Sequence, residues 1–505
     1  MKAIFNKAVR QYLRLRYRRI VAMQQMAPQL QEAVLSRVIK GLQSTEYAKK
    51  HSIKYSMSMA KFQEIVPLVE YVDIYPYIQR MMQAEPNILC KGKVKRFAKS
   101  SGTTNDRSKY IPMPWHYHSK NHVAASWDTM SIVYHEDSEA KIFEKKSLIM
   151  GGSMTNVDKV LVGDVSAILL DKMHWAGRPF FTPDFKTACL PDWEEKIDRM
   201  VTICKNEPIV MFGGVPTWSL VLCNRILEAT GKSNMHEVWP DVRYYMHGGV
   251  SFLPYRDQFK ELFPDPSFKY YEVYNASEGY FAVQDKSDTE GMLLLVNNEI
   301  FYEFIPIDNL ETTNPTCITL AEVQVGEVYA MVITTSAGLW RYIIGDTVTF
   351  TSITPYRIMV VGRTKQSINV FGEEVMVANT DKALMLTLDL LSAKVNEYTV
   401  APNFMSTKKK GSHHWIIEFE REPVNVDEFA LALDNNLRSI NSDYDAKRSK
   451  DLALDCLKVE VVAKGTFHRW MKAKGKIGGQ NKVPRLSNNR KLLNEILSIA
   501  RYGNN

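Results

Sequence analysis

What this 505-residue sequence has little of narrows its class first. It holds six cysteines, Cys90, Cys189, Cys204, Cys223, Cys317 and Cys456, and no two of them form a C-x-x-C pair. Scattered thiols argue against a disulfide framework or a zinc ribbon, and for reduced cysteines in a cytoplasmic protein. Long apolar runs are missing. The longest uncharged stretch, Pro208 to Asn224, is broken by Gly213, Gly214 and Pro216, so no membrane span is expected. A basic start with no apolar signal core behind it points to a soluble, intracellular chain. There is no low-complexity tract and no fixed-period repeat, which excludes solenoids and disordered tails. Charge of one sign is also lacking. Sixty-four Lys+Arg against 56 Asp+Glu leave +8, too mild for this length to predict a nucleic-acid partner. The standard phosphate-binding signatures, G-x-x-x-x-G-K-[ST] and G-x-G-x-x-G after a strand, do not occur.

Apolar residues make up 45% and charged residues 24%, as in ordinary globular proteins. The length exceeds one compact core and predicts at least two domains. Near the start, Lys7, Arg10, Arg14, Arg16, Arg18 and Arg19 alternate with Phe5, Val9, Tyr12, Leu13, Tyr17 and Ile20. That spacing predicts an amphipathic helix on the protein body with a solvated basic face, with a membrane-surface or nucleic-acid contact as the lesser alternative. The chain reads as mainly helical to about Gln83, with Gly41 as a helix stop in APQLQEAVLSRVIKGL. From Lys95 short apolar strands (KSLIM, DVRYYMH, FKYYEVYN) alternate with helical segments (WEEKIDRMVTICKN, TWSLVLCNRILEAT), the pattern of an α/β body. Two β-rich stretches follow. GMLLLVNNEIFYEFIPI reads as a hairpin turning at Asn297 and Asn298, and GEVYAMVITTSAGLWRYIIGDTVTF as another. VVGRTKQSINVFGEEVM, Val360 to Met376, reads as a hinge-like connection to a smaller α+β unit. The expected layout is a large α/β domain over 1–365 and a small C-terminal domain over 366–505.

The histidines of WHYHSKNH, His116, His118 and His122, lack a fourth ligand and read as surface or packed side chains rather than a metal site. His413 and His414 open a strand and point to opposite faces, so they do not readily share a ligand. FAKSSGTTNDRSKYIP is more informative. Hydroxyls and backbone amides around Gly102 form an anion-binding concavity, with Lys109 as a point charge beyond it. Alone it reads more readily as a Ser/Thr-rich surface turn. Three further stretches stand behind it: VYNASEGYF with Ser277 and Glu278, GLWRYIIGD ending at Asp346, and KGKIGGQNKVPR with Lys476 and Lys482. Each by itself is a turn, a strand end or a basic loop.

In this order, Ser-Ser-Gly-Thr-Thr…Lys, Tyr-x-Ala-Ser-Glu, Gly-Leu-Trp-Arg-Tyr-x-x-Gly-Asp and Gln-x-Lys-x-Pro-Arg resemble the Gretchen Hagen (auxin-responsive promoter) family of acyl-acid amido synthetases. These belong to the adenylate-forming enzymes, and the resemblance covers nearly the whole chain. It implies a large adenylation domain with a small mobile C-terminal cap. It also implies ATP and Mg²⁺ as cofactors, with a small carboxylic acid and an amino acid or other amine as partners. The acid would be adenylated with loss of pyrophosphate, and the acyl group then passed to the amine with loss of AMP. By this resemblance Ser100, Ser101, Gly102, Thr103 and Thr104 wrap the phosphates, with Lys109 beside them. Glu278 holds the metal, while Tyr274, Ala276 and Ser277 line the nucleotide and α-phosphate region. Gly248 and Gly249 lie beside adenine, and Asp346 accepts from the ribose hydroxyls. Lys482 is the small-domain lysine that reaches the α-phosphate, although Lys476, in GKI, mimics the acyl-CoA ligase motif. Arg363 and Lys365 mark the pivot, where the wider superfamily often has an aspartate in place of Lys365. Asp106 departs from related loops, which commonly carry glycine there. Its side chain is expected to point away from the phosphates, towards Arg107 or Lys109, or to reach them through the metal. An acyl-CoA ligase sharing the first step, or a nucleotide-binding protein without turnover, are the alternatives. Acid-pocket residues are expected from Met150–Trp175 and Gly213–Leu222, whose aromatics and methionines are equally explained as core. Oligomeric state is not legible.

Overall fold

The computed structural model describes residues 2–100, 109–249, 252, 255–286, 289–364, 367–368, 373, 375–404, 411–441, 444–445, 448, 454–475, 482–487 and 489–502. The chain divides into two compact units: Met1–Gly249 with Phe263–Val360, and Val250–Leu262 with Val361–Asn505.

The first unit opens with helices Lys2–Gln25 and Ala27–Leu42. The first helix buries Asn6, Leu13 and Ile20, each seven residues on from the last, and leaves Lys7, Arg14, Arg18 and Arg19 exposed. Arg16 pairs with Asp128 at 2.6 Å, which ties the helix to Ala124–Glu136. The second helix runs through Gly41 to Leu42 instead of stopping at the glycine. A Cβ at Gly41 would meet nothing within 4 Å, and the chain turns only where Thr45 caps Glu46–Lys50.

Its strands are β1 (Arg96–Ser100), β2 (Lys109–Pro112), β3 (Lys146–Ile149), β4 (Met154–Val157), β5 (Val160–Gly163), β6 (Phe181–Thr182), β7 (Ile209–Gly213), β8 (Tyr244–His247), β9 (Lys269–Asn275), β10 (Tyr280–Val283), β11 (Met292–Leu294), β12 (Ile300–Pro306), β13 (Ile318–Thr319), β14 (Val328–Thr335), β15 (Tyr342–Ile353) and β16 (Tyr356–Arg363). A small sheet has the order β2-β1-β5-β4; the large one runs β13-β12-β14-β15-β16-β11-β10-β9-β8-β7-β3-β6. From β9 to β6 every neighbour is parallel, whereas β9, β10, β11 and β16 pair antiparallel. The parallel half draws on almost continuously apolar segments such as IVMFG, as strands covered on both faces require. Because these strands run one way, the segments leaving β3, β7, β8 and β9 emerge at one carboxyl edge, where open α/β sheets present their ligand-binding loops.

The hairpin expected at Asn297 and Asn298 does not form. β11 lies between β10 and β16, while β12 pairs with β13 and β14. Every residue of β11, and β12 as far as Ile305, is buried, so neither segment has the wet face of a free-standing hairpin. The side chain of Gln31 takes up the backbone groups at the bend instead. It donates to Val296 O (2.8 Å) and Ile300 O (3.1 Å) and accepts from Tyr302 N (2.8 Å). The second expected hairpin is present as β14 against β15.

In the second unit, β19 (Lys394–Asn403), β20 (Ser412–Arg421) and β21 (Lys458–Val462) form a sheet, after a short pair, β17 (Ser367–Ile368) and β18 (Val375–Met376). Side chains alternate along β20. Trp415 and Ile417 join Leu384, Phe429 and Leu433 of helices Val377–Leu391 and Val426–Ile440. Ile416 joins Phe467, Trp470 and Ile496 of helices Thr466–Ala473 and Lys491–Tyr502 on the opposite face. His413 and His414 separate as expected: the first is buried 3.0 Å from Glu373, the second pairs with Glu460. The protein is thus a large sheet-and-helix domain followed by a smaller α+β one.

Candidate active site

Ser100 and Lys109 are directly paired across β1 and β2, so residues 101–108 join two fixed strand ends. Ser101, Gly102, Thr103, Thr104 and Asp106 lie outside the described residues, as does Lys476. Lys109 is held by aromatic rings. Its Nζ donates to Tyr342 Oη at 3.3 Å and stands 5.8 and 5.9 Å from the ring centres of Tyr71 and Tyr342. Tyr342 belongs to GLWRYIIGD and was within reach of the motif; Tyr71 carries no sequence signal. Burial above all, with a smaller contribution from the charge of Glu278, pushes the Tyr71 phenol up.

Ser277 and Glu278 are buried and leave β9 in a tight turn closed by Ala276 N on Gly279 O (2.8 Å). Ser277 Oγ donates to Lys99 O at 3.4 Å, bringing this turn to the end of β1 across 178 residues of sequence. Tyr274 Oη donates to Asp346 Oδ2 at 2.6 Å. Asp346 owes its direction to a bulge. Ala330 faces Thr347 and Val332 faces Ile343, so Met331 alone opposes Ile344, Gly345 and Asp346. Gly345 takes φ +92° there, a conformation glycine adopts without steric cost.

Gly248 follows β8, and a Cβ on it would lie 2.2 Å from Val273 O. Packing against β9 therefore accounts for this glycine without any ligand. Gly249 has φ +85°. At the same sheet edge, a Cβ on Gly214 would come within 2.9 Å of Ser219 Oγ and 3.4 Å of Met150 Sδ, so the two segments expected to line an acid pocket meet. Lys196, buried, donates to Gly151 O at 2.7 Å in the loop after β3, and burial lowers its ammonium to about 8.

Two motif arginines are structural. Arg341 donates to both oxygens of buried Glu303 (2.9–3.1 Å) and to Gln63 O and Val66 O (2.7 and 2.8 Å). In the second unit Arg485 stacks over Tyr398 at 4.5 Å, donates to Tyr255 Oη at 2.9 Å and pairs with Glu397. Val400 N donates to Arg485 O (2.8 Å) and Thr399 Oγ1 to Pro484 O (2.7 Å), which pins the segment beginning at exposed Lys482 along β19. Arg363, half-buried, ends β16. His118 and His122 are packed inside, and among the described residues no three His, Cys, Asp or Glu side chains are grouped to hold a metal. Among the described residues no helix is long and apolar enough to cross a membrane.

Comparison with known proteins matches most of the chain. The GH3 family N-terminal domain matches residues 16–190 and 154–268, the GH3 family central domain residues 293–363, and the GH3 family C-terminal domain residues 378–491. Indole-3-acetic acid-amido synthetase GH3.6 of Arabidopsis thaliana is 21% identical, over 91% of this chain and 88% of its own. Jasmonoyl--L-amino acid synthetase JAR4 of Nicotiana attenuata is 22% identical over 88% of each. Among solved structures, AtGH3.15 acyl acid amido synthetase in complex with 2,4-DB superposes with a TM-score of 0.78 at 18% identity, over 95% of this chain and 96% of that one. A 2-hydroxyisobutyryl-CoA ligase in complex with 2-HIB-AMP shares the fold at a TM-score of 0.61 and 14% identity, over 94% and 91%. With its N-terminal, central and C-terminal domains matched in order, the chain belongs to the GH3 family.

Proposed function

We propose that this protein is an ATP-dependent acyl-acid amido synthetase. One observation carries the proposal beyond family membership. Three motifs far apart in sequence converge in one unit, through Ser277 on Lys99, Tyr274 on Asp346 and Lys109 on Tyr342. In the first step a carboxylate oxygen of the acid attacks the α-phosphorus of ATP and pyrophosphate leaves. In the second, an amino-acid amine attacks the acyl carbon, the C–O bond to AMP breaks, and nitrogen loses a proton. The first step crowds negative charge, so fixed positive groups and positioning must carry it. Asp346, oriented by Tyr274, would accept from the ribose hydroxyls. Ser100, Ser101, Gly102, Thr103 and Thr104 would wrap the phosphates, with Lys109 as a fixed cation. Tyr274, Ala276 and Ser277 would line the α-phosphate region, with Gly248 and Gly249 beside the base. Lys482 would supply a second cation to the α-phosphate, and Arg363 would belong to the pivot, the small domain being the part that moves.

Glu278 fits a magnesium site. It is a buried carboxylate in the turn that Ser277 ties to the end of β1, and Mg²⁺ is commonly held by one or two carboxylates plus substrate phosphates. Bound there, the ion would offset phosphate charge. The substrates are a small carboxylic acid and an amino acid, the classes named for the GH3.6 and JAR4 relatives. A pyrophosphate-release screen across acids and amino acids tests this. Product should form with an amino acid, and Lys482→Ala and Glu278→Ala should each lower adenylation at least tenfold, as loss of a transition-state contact does. Conjugates formed only with CoA would identify an acyl-CoA ligase. Nucleotide binding without release for any acid would identify a non-catalytic protein. If neither substitution slows adenylation, the site assignment is wrong.

A further inference from the structure

Beside the Glu278 turn, a helix changes pitch. Trp115–His118 is α-helical, Ser119–Val123 is a π-turn, and Ala124–Glu136 is α-helical again. Such one-turn π-segments gather at functional sites. Here two side chains four residues apart, and so on one helix face, reach the same turn. Tyr117, wholly buried, donates from Oη to Glu278 O at 2.5 Å. Asn121, also wholly buried, accepts from Tyr280 N at 2.8 Å and donates to Asn298 O at 2.9 Å and Tyr280 O at 3.4 Å. Asn298 Nδ2 donates to Tyr280 O at 2.6 Å from the other side. There is no slack between helix and turn. A Cβ on Gly279 would sit 2.6 Å from Tyr117 Oη and 2.7 Å from Ile300 Cδ1.

We infer that Tyr117 is a positioning residue for Glu278: its hydroxyl grips the Glu278 carbonyl and so sets where the carboxylate of that residue projects. The inference rests on the proposal that Glu278 holds magnesium. Tyr117 suits the task because its ring is wholly buried and its hydroxyl meets that carbonyl at 2.5 Å. A side chain at a hairpin turn inherits the position of its own peptide, and a displacement of about 1 Å near reacting groups costs up to roughly a hundredfold in rate.

Tyr117→Phe keeps the ring and its packing and removes only the hydroxyl. Mn²⁺ would be titrated into the full chain saturated with a non-hydrolysable ATP analogue, with protein-bound Mn²⁺ read by electron paramagnetic resonance. Tyr117→Phe should weaken Mn²⁺ binding roughly tenfold and slow adenylation by a similar factor, within the range misplacement produces. Gly279→Ala should do the same by pushing the turn off the hydroxyl. Thr129→Val is the structural control. It removes a buried hydroxyl that bonds Tyr280 Oη at 2.6 Å, and should lower thermal stability while leaving Mn²⁺ binding unchanged. Glu278→Gln separates the two levels. If it leaves Mn²⁺ binding intact, the metal role of Glu278 fails. If it weakens binding while Tyr117→Phe and Gly279→Ala behave as wild type, the positioning role of Tyr117 is overturned. Equal weakening by Thr129→Val would overturn it too, since general loosening would then suffice.

Discussion

Arg341 takes its charge inside the protein and returns nothing to solvent. Its guanidinium is 5% exposed as a residue, facing Glu303 at 0%, and its remaining donors fasten the chain at Gln63 and Val66. Removing one partner of a buried pair strands the other, at a cost of about 3–5 kcal/mol, whereas replacing both by apolar residues is often neutral. Arg341→Ala should therefore lose about that much in urea unfolding, and Arg341→Met with Glu303→Leu should recover most of it. In the sequence this arginine sits in the same motif as Asp346, and the motif alone does not tell their roles apart. Only its buried partners mark Arg341 as a structural residue.

At the scale of elements, the bulge in β15 and the π-turn after Tyr117 are local departures that aim side chains. Gly345 holds φ +92° in the bulge, and an L-residue in that region pays about 1–2 kcal/mol. Gly345→Ala should lower stability by that amount. It should also raise KM for ATP several-fold in pyrophosphate exchange, because Asp346 is re-aimed; an unchanged KM would detach Asp346 from the nucleotide. Across the π-turn, burial lowers His118 to about 4 and His122 to about 3. In the unfolded chain both titrate near 6.5. Between those values the unfolded state binds more protons, so stability falls as pH drops from about 6.5 towards 3. His122→Leu should flatten that fall by up to about 1.4 kcal/mol per pH unit, the limit for a single group, when urea midpoints are compared from pH 7 to 4. Helix periodicity and strand composition were readable at this scale. The bulge and the π-turn were not, because one or two added residues change direction without changing composition.

For the molecule as a whole, the two units have separate apolar cores, one around Phe281, Tyr302 and Trp340, the other around Trp415, Phe429 and Leu433. Domains with their own cores unfold as their own cooperative steps, so a single two-state transition is not expected. Leu433→Ala, at a fully buried position, should cost about 2–5 kcal/mol and move one calorimetric transition while leaving the other in place. A uniform shift of a single transition would refute this.

The sequence by itself determined the family, the α/β character, several helices, strands β3, β8 and β9 of the parallel half and the order of the chemical motifs. These follow from short-range patterns: apolar period, composition, and residue types at fixed spacing. Tertiary structure decided which strands pair, so that Met292–Leu294 and Ile300–Pro306 part company although a turn sequence joins them. It also decided which motif residues meet. Tyr274 reaches Asp346 and Ser277 reaches Lys99, while Arg341 turns inward and Gly248 answers to Val273. Pairing and burial are contests between distant segments for the same backbone groups and the same apolar cover, and local sequence carries only one side of each contest.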